Sequence, residues 1–174
     1  TSDFEMMIKS GLYDELTSKK LLVRHTFADD SDFFKKTEHS LVISPEKIPF
    51  ISYPYEWCFS QLKSAALLSL KIQKTALKFG MSLKDASSFN VQFIGCNPIF
   101  IDTLSFEKYE EGKPWVAYRQ FCQHFFAPLV LMHYYGPEFS RLMQLHIDGL
   151  PLNITSKLLP GRSYLKSAIA AHIH

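Results

Sequence analysis

Glycine is scarce in this sequence, and no glycine belongs to a phosphate-binding loop. The 7 glycines among 174 residues stand apart from one another, without the G-x-G turn that follows the first strand of a dinucleotide-binding domain. Such a domain needs that turn because only glycine lets the backbone approach a pyrophosphate closely. These residues therefore do not encode a domain of that kind.

Cysteine and long apolar runs are equally rare. The three cysteines, at positions 58, 96 and 122, are odd in number and form no C-x-x-C pair, which argues against a disulfide framework or a thiolate zinc site and favours a reducing compartment. The longest apolar run, FFAPLVLM at 125–132, is too short to cross a bilayer, and no signal peptide opens the chain. We therefore expect a soluble, cytoplasmic protein without a membrane partner.

Neither sign of charge is in large excess. The formal net charge is +2, so we expect no nucleic-acid partner, because such proteins usually carry a strong positive excess. Apolar residues make up 47% of the chain, enough for one domain with a substantial core. A group of lysines at 63, 71, 74 and 78 is interpreted as the solvated face of a helix.

Hydrophobic spacing and turn residues predict a series of helices and short strands. The predicted helices cover 2–10, 12–19, 59–79, 115–136, 137–149 and 153–160, and the tail 164–174 is a helix or an irregular end. The predicted strands lie at the two ends of segment 24–44 around the acidic turn ADDSD, at 48–52, and on both sides of GCNP as the hairpin VQFI and PIFI. Helix 115–136 is apolar nearly all round, which predicts burial, and Pro128 should kink it.

Three residues with carboxylate or carboxamide side chains stand out in SLKDASSFNVQFIGCNPIFIDTLSF, residues 82–106. Asp85 and Asn90 lie on the loop before the hairpin, and Asp102 follows it directly. Because a hairpin returns the chain to where it began, Asp102 should lie close to the loop that carries Asn90. Such an oxygen-rich cluster suits magnesium. The alternative is turn capping, since Asp and Asn commonly bond the backbone of their own loop.

The same order, D-x-x-x-x-N in DASSFN, then a hairpin, then the Asp of IFIDTL, resembles the catalytic and metal-binding segments of protein-kinase-like phosphotransferases. The resemblance implies a kinase-like module that binds ATP and magnesium. In that module Asp85 is the catalytic base or orients the substrate hydroxyl, while Asn90 and Asp102 are the magnesium ligands. The implied ligand is a nucleotide or another small molecule.

The aromatic turn FISYPYEW before helix 59–79 occupies the place of the hinge that contacts adenine in the kinase-like family. The resemblance therefore implies that Tyr53, Tyr55 and Glu56 bind the cofactor. For Glu56 and Trp57 we prefer an alternative interpretation. In this alternative Trp57 is buried and Glu56 caps the turn before the helix.

The kinase resemblance implies an α+β fold. In this fold a mostly helical larger lobe covers 58–174, and residues 1–57 are the remnant of a reduced or truncated smaller lobe. The two parts together are expected to form a single compact unit. The sequence departs from the family in several places. Leu83-Lys84 replaces the His-Arg before the catalytic Asp, and Thr103-Leu104 replaces the Phe-Gly after the metal ligand. No glycine-rich phosphate loop and no V-A-I-K lysine are present, so efficient phosphoryl transfer by this chain alone is not expected.

A second resemblance extends through most of the chain. The aromatic-rich segment from IPFISYPYEW to FCQHFFAPL is similar to the N-terminal region of bacterial proteins labelled SAM-dependent methyltransferases, which include relatives of host-specific nodulation proteins. This resemblance implies a non-catalytic accessory or substrate-binding domain. A methyltransferase domain, and with it the cofactor SAM, would then lie outside these residues as a partner in the same longer protein.

Further ionisable residues lie on the predicted helix 115–136. If Arg119 is buried there it needs an acidic partner, and we predict a structural ion pair with a loop carboxylate or Glu107. His124 and His133 are predicted to be core histidines rather than metal ligands. His172 and His174 form an H-x-H pair at the end of the chain, which lacks the third ligand of a metal site.

Overall fold

The structure, a computed structural model, describes residues 2–27 and 42–174, so the predicted acidic turn at 28–32 lies outside the described residues. The helices are α1 (Ser2–Lys9), α2 (Leu12–Ser18), α3 (Phe59–Lys78), α4 (Tyr118–Phe121), α5 (Ala127–Tyr135), α6 (Leu142–Leu145), α7 (Leu152–Leu158) and α8 (Ser167–His172). The strands are β1 (His25–Phe27), β2 (Ile43–Pro45), β3 (Met81–Leu83), β4 (Val91–Ile94), β5 (Asn97–Phe100) and β6 (Phe106–Lys108).

The strands form three antiparallel pairs, β1 with β2, β3 with β6, and β4 with β5. The chain is therefore an α+β protein, as expected, with helices packed around small sheets. The β4–β5 hairpin and the two strands at the ends of segment 24–44 are confirmed. The kinase-like lobe and the division at residue 57 stay predictions.

Helix α3 follows its sequence pattern closely. Its buried residues include Leu62, Ala66, Ser69, Ile72 and Ala76, which recur at gaps of three and four as a helix packed on a core requires. The helix ends where Gly80 adopts a φ of 68°, a left-handed conformation that favours glycine. The predicted helices at 2–10, 12–19 and 59–79 are thus confirmed to within a residue or two at each end.

Other predicted elements were wrong. Residues 48–52 form no strand, and the backbone of Ser52 bonds to the Gln92 side chain of β4 instead of to the backbone of a neighbouring strand. The predicted helix 137–149 is replaced by a 3₁₀ segment, Pro137–Arg141, and the short α6. The pair β3–β6 was not predicted, because each strand has three residues and its partner lies about 25 positions away in the chain.

The predicted long helix at 115–136 begins later and contains a π-helical turn at Cys122–Phe126. The backbone N–H of Ala127 bonds to the Cys122 carbonyl, which shifts the ladder by one residue just before Pro128. Because Pro128 has no backbone N–H, an α-helix would lack one hydrogen bond at this position. The π-helical turn lies directly before this missing bond. The freed carbonyl of Gln123 accepts the N–H of Leu150 at 3.0 Å.

This helical segment is only partly buried, contrary to the prediction. Arg119 and His133 are exposed, because the segment lies along the edge of the core instead of passing through it. Arg119 forms no ion pair with any described residue, so the predicted buried pair with a loop carboxylate or Glu107 is wrong. His124 is buried, as expected.

A single apolar core joins the elements of the described chain. It includes Met7 and Leu16 from the first two helices, Leu62 from α3, Phe100 from the hairpin and Phe125 from the π-helical turn. Residues on both sides of position 57 therefore contribute to the same core. Among the described residues, no helix has the length and apolar character needed to cross a bilayer.

Candidate functional site

The Asp85 carboxylate lies on the loop after β3, where it joins that loop to α4. Its Oδ1 accepts the backbone N–H of Ser87 at 2.8 Å and the side-chain amide of Gln120 at 2.9 Å. The Gln120 carbonyl in turn accepts the N–H of Ala86 at 2.7 Å. Oδ2 has no hydrogen-bond partner among the described residues, so one carboxylate oxygen remains available.

Asn90 and Asp102 lie on the two sides of one hydroxyl group. Ser105 Oγ donates to Asp102 Oδ2 at 2.6 Å and accepts from Asn90 Nδ2 at 3.2 Å. Asp102 Oδ1 also accepts the backbone N–H of Leu104 at 2.8 Å. The structure thus brings Asn90 and Asp102 together across the hairpin, as the sequence predicted, with Ser105 occupying the space between them.

Asp85 is linked to this pair only indirectly. The backbone N–H of Lys84 bonds to the Ser105 carbonyl at 2.9 Å, which places the Asp85 loop beside the Asn90–Asp102 pair without a direct bond. Within residues 2–27 and 42–174, no three His, Cys, Asp or Glu side chains converge as a metal site would require. Magnesium binding by Asn90 and Asp102 would need Ser105 to move, because its hydroxyl now bridges them.

Turn capping accounts for much of this bonding. Asp85 and Asp102 each accept the backbone N–H two residues further along, the Asx-turn arrangement that Asp commonly adopts in loops. The two aspartates therefore both stabilise their own turns. The assignment of Asp85, Asn90 and Asp102 to catalysis and metal binding stays a prediction.

The aromatic turn before α3 is held by a capping interaction. Glu56 Oε2 accepts the backbone N–H of Tyr53 at 2.7 Å, and Trp57 is buried with its indole N–H bonded to Ser52 Oγ at 2.9 Å. The expectation of a buried Trp57 and a capping Glu56 is confirmed. The rings of Tyr53 and Tyr55 stack with centroids 5.4 Å apart and planes 6° apart, so a third ring cannot lie between them.

This turn is attached to the hairpin through a buried glutamine. The Gln92 side chain on β4 accepts the N–H of Ser52 at 3.1 Å and donates to the Ser52 carbonyl at 3.0 Å. The ring of Phe93 packs edge-on against Trp57 at 5.1 Å. The turn and the hairpin that ends near Asp102 are therefore parts of one rigid unit. Adenine binding by Tyr53, Tyr55 and Glu56 stays a prediction.

His124 forms a buried polar contact that the sequence did not reveal. Its Nδ1 lies 3.2 Å from the Ser88 hydroxyl, and His124 also bonds to the backbone of Asp148. Burial lowers the pKa of His124, while the nearby Asp85 carboxylate and Asp148 act in the opposite direction more weakly. The imidazole is therefore neutral at pH 7.

An Asp, a His and a Ser near one another have the residue types of a nucleophilic triad. Here, however, Ser88 is 0% exposed and His124 is 3% exposed, so no substrate can reach the serine hydroxyl. The contact instead holds the Asp85 loop against the π-helical turn. A serine followed by a histidine 36 positions later carries no signal in the sequence, because only the fold brings them together.

The two histidines at the chain end also serve the fold. Both ring nitrogens of His174 are within hydrogen-bond distance of serine hydroxyls, Ser156 at 2.7 Å and Ser163 at 2.8 Å. The His172 ring is bonded to the hydroxyl of Tyr118. These imidazole nitrogens are therefore occupied by protein partners.

Comparison with known proteins finds one relevant similarity. The chain is 39% identical over 123 residues to nodulation protein NoeA of Rhizobium meliloti (strain 1021), a match that covers 71% of this chain and 26% of that protein. The chain thus spans about a quarter of the length of this curated relative. No protein-family model and no solved structure matches. The similarity supports the expected relation to nodulation proteins and leaves the kinase-like and methyltransferase parts of the expectation untested.

Proposed function

We propose that this chain is a non-catalytic accessory or substrate-binding domain of a longer, nodulation-type bacterial protein. In this proposal any SAM-dependent methyltransferase domain lies outside these residues. The observation that carries the proposal is the extent of the NoeA match, which includes most of this chain but only 26% of the relative. A region of that size is that of one domain within a larger protein.

The local bonding of the aspartates supports this proposal. Asp85 and Asp102 both accept backbone N–H groups of their own loops, and the His124–Ser88 contact is buried. A domain that binds and positions a substrate needs loops held in place in this way, whereas a catalytic centre needs groups that a substrate can reach.

A second candidate function is that of a kinase-like module that binds ATP and magnesium. One observation favours it, the proximity of Asn90 and Asp102 across Ser105, together with the available Oδ2 of Asp85. In this alternative Asn90 and Asp102 hold the metal once Ser105 has moved aside, and Asp85 orients the acceptor hydroxyl.

Thermal unfolding with added ligands separates the two functions. For the accessory domain we expect no change in the unfolding midpoint with millimolar ATP and magnesium, and none with SAM. The kinase-like alternative predicts stabilisation, because a ligand at about ten times its Kd adds about 1.4 kcal/mol to the free energy of unfolding. That stabilisation should require both ATP and magnesium.

Two variants sharpen this measurement. Asp102→Ala removes the carboxylate, whereas Asp102→Asn keeps an oxygen for the Leu104 N–H but loses the charge and the oxygen that accepts the Ser105 hydroxyl. Stabilisation by ATP and magnesium that disappears in both variants would refute the accessory proposal in favour of the kinase-like one. Stabilisation by SAM would contradict the placement of the methyltransferase domain outside these residues.

A further inference from the structure

The outward face of α3 carries exposed leucines and lysines side by side. Leu67, Leu70 and Leu77 are 56%, 42% and 42% exposed. The exposed lysines on the same helix are Lys63, Lys71, Lys74 and Lys78. At 100° per residue these seven positions fall within an arc of about 120°, so they form one continuous stripe, which we call the α3 face.

The positive charge of the α3 face has no acidic partner among the described residues. Helix α3 contains no acidic residue, and none of its four lysines forms an ion pair with a described residue, whereas the ion pairs of the described chain all lie elsewhere. Four positive charges on one helix exceed the net charge of +2 of the whole chain. These lysines are solvated, as the sequence predicted, but three exposed leucines lie among them in the same stripe, and a contiguous apolar strip of this kind is typical of an interaction surface.

A groove adjoins the middle of the α3 face. Its volume is about 450 Å³, and it lies between α3, the end of α2 and the β4–β5 turn. Three lysines, Lys19, Lys20 and Lys71, line it together with apolar side chains that include Leu67. Lys19 is paired with Glu15, whereas Lys20 and Lys71 have no acidic partner among the described residues.

Lys20 occupies a backbone position that favours glycine. The φ of Lys20 is 55°. The N–H of Leu21 bonds to the Leu16 carbonyl at 2.9 Å, and the N–H of Lys20 bonds to the Thr17 carbonyl at 3.1 Å. This is a Schellman ending for α2, in which the left-handed residue is usually glycine. A lysine at this position is less stable than glycine would be, and its side chain lines the groove.

We propose that the α3 face binds an acidic amphipathic helix of a protein partner. The leucines of the α3 face contact the apolar side of that helix, its carboxylates pair with the α3 lysines, and one carboxylate enters the groove at Lys20 and Lys71. The inference rests on the proposed accessory function, for which it names the kind of partner. The recognition mode is that of a helix laid against an apolar strip with complementary charge.

The charge pattern argues against other occupants. A second copy of this chain would bring two positive α3 faces together and be repelled. Nucleic acid would neutralise the lysines but leave the leucines without apolar contacts. A bilayer interface requires a helix whose apolar side enters the acyl region. On α3 the exposed leucines share one side with the lysines, and the opposite side of the helix packs on the core.

Binding of a labelled peptide tests this proposal. The probe is a fluorescent amphipathic helix of glutamate and leucine, titrated with the 174-residue chain and followed by fluorescence anisotropy. We expect saturable binding that weakens as salt rises. The double variant Lys71→Glu/Lys74→Glu should raise the Kd at least tenfold, and Leu70→Ser several-fold.

The chain offers a matched control on another helix. The single variant Lys71→Glu should raise the Kd several-fold. Lys157 on α7 lies next to exposed Leu158 and near exposed Ile154, so Lys157→Glu makes the same single charge change as Lys71→Glu beside similar apolar residues. This control should leave the Kd unchanged. Lys20→Gly is expected to raise the unfolding midpoint and to weaken peptide binding, which separates loss of the lysine from loss of the fold.

Several outcomes would overturn the proposal. Equal effects of Lys157→Glu and the single variant Lys71→Glu would show nonspecific charge attraction. Absence of peptide binding, together with binding to phosphatidylglycerol vesicles or duplex DNA, would indicate a different partner. Absence of all binding would also refute it. These failures leave the accessory function intact, which is tested separately by the response to ATP and magnesium.

Discussion

Replacing Gly149 with alanine should lower the free energy of unfolding by about 2–5 kcal/mol. The added Cβ would lie 2.7 Å from Gln123 Cβ and 3.0 Å from His124 Cδ2, and relieving such overpacking costs about 1–3 kcal/mol. The φ of 101° adds about 1–2 kcal/mol, because L-residues rarely adopt it. Urea unfolding of the variant and the parent chain measures this difference.

Two other glycines are matched controls for this variant. Gly112 has a φ of 81° but no atom within 4 Å of an added Cβ, so Gly112→Ala isolates the backbone term. Gly161 has neither a positive φ nor a close neighbour, so Gly161→Ala should be nearly neutral. If Gly149→Ala and Gly112→Ala cost the same, the close packing of the Gly149 loop on the π-helical turn would be disproved.

Lowering the pH through 6.5 should destabilise the chain, chiefly through His124. Burial holds the pKa of His124 below its ordinary value of 6.5 in the folded state. Below pH 6.5 the unfolded chain therefore binds a proton that the folded chain resists. The stability is fully present above the ordinary pKa and is lost as the pH falls, with a limiting slope of about 1.4 kcal/mol per pH unit for one proton.

His25 should add to this loss in the same direction. Burial also lowers the pKa of His25, and neither ring nitrogen has a hydrogen-bond partner among the described residues. The ring packs against Tyr13 with centroids 4.4 Å apart. Although the residue as a whole is only partly buried, its nitrogen atoms are covered, so the direction of the effect is the same as for His124.

Variants identify which histidine is responsible. His124→Gln keeps a polar side chain near Ser88, but glutamine does not titrate. The free energy of unfolding of this variant, measured by urea titration, should therefore depend less on pH between 7.5 and 5. His25→Gln should flatten the remaining dependence. An unchanged slope in the double variant would show that other groups cause the acid sensitivity.

Local patterns predicted the helices and the hairpin well. The gaps of three and four along α3, and the glycine that ends it, depend on neighbours within about two turns, so they are legible in the sequence. The GCNP turn likewise predicted the hairpin. The pair β3–β6 was missed, because three-residue strands show no period and their pairing is decided by distant contacts.

The candidate site was predictable in part for the same reason. Asn90 and Asp102 were expected to meet because a hairpin has a known geometry, and they do so across Ser105. Ser105 itself and the contact of His124 with Ser88 were not foreseen. Arg119 was expected to be buried because its neighbours are apolar, but it lies where the helical segment leaves the core.

The sequence by itself determined the first three helices, the hairpin and the absence of a glycine-rich phosphate loop, since each depends on residues close together in the chain. Only the tertiary structure decided that α3 presents leucines and lysines to solvent, that Gly149 packs on His124, and that Lys20 borders a groove. Those features depend on which surfaces remain uncovered after distant segments pack. Burial is a property of the whole fold, and no local pattern records it.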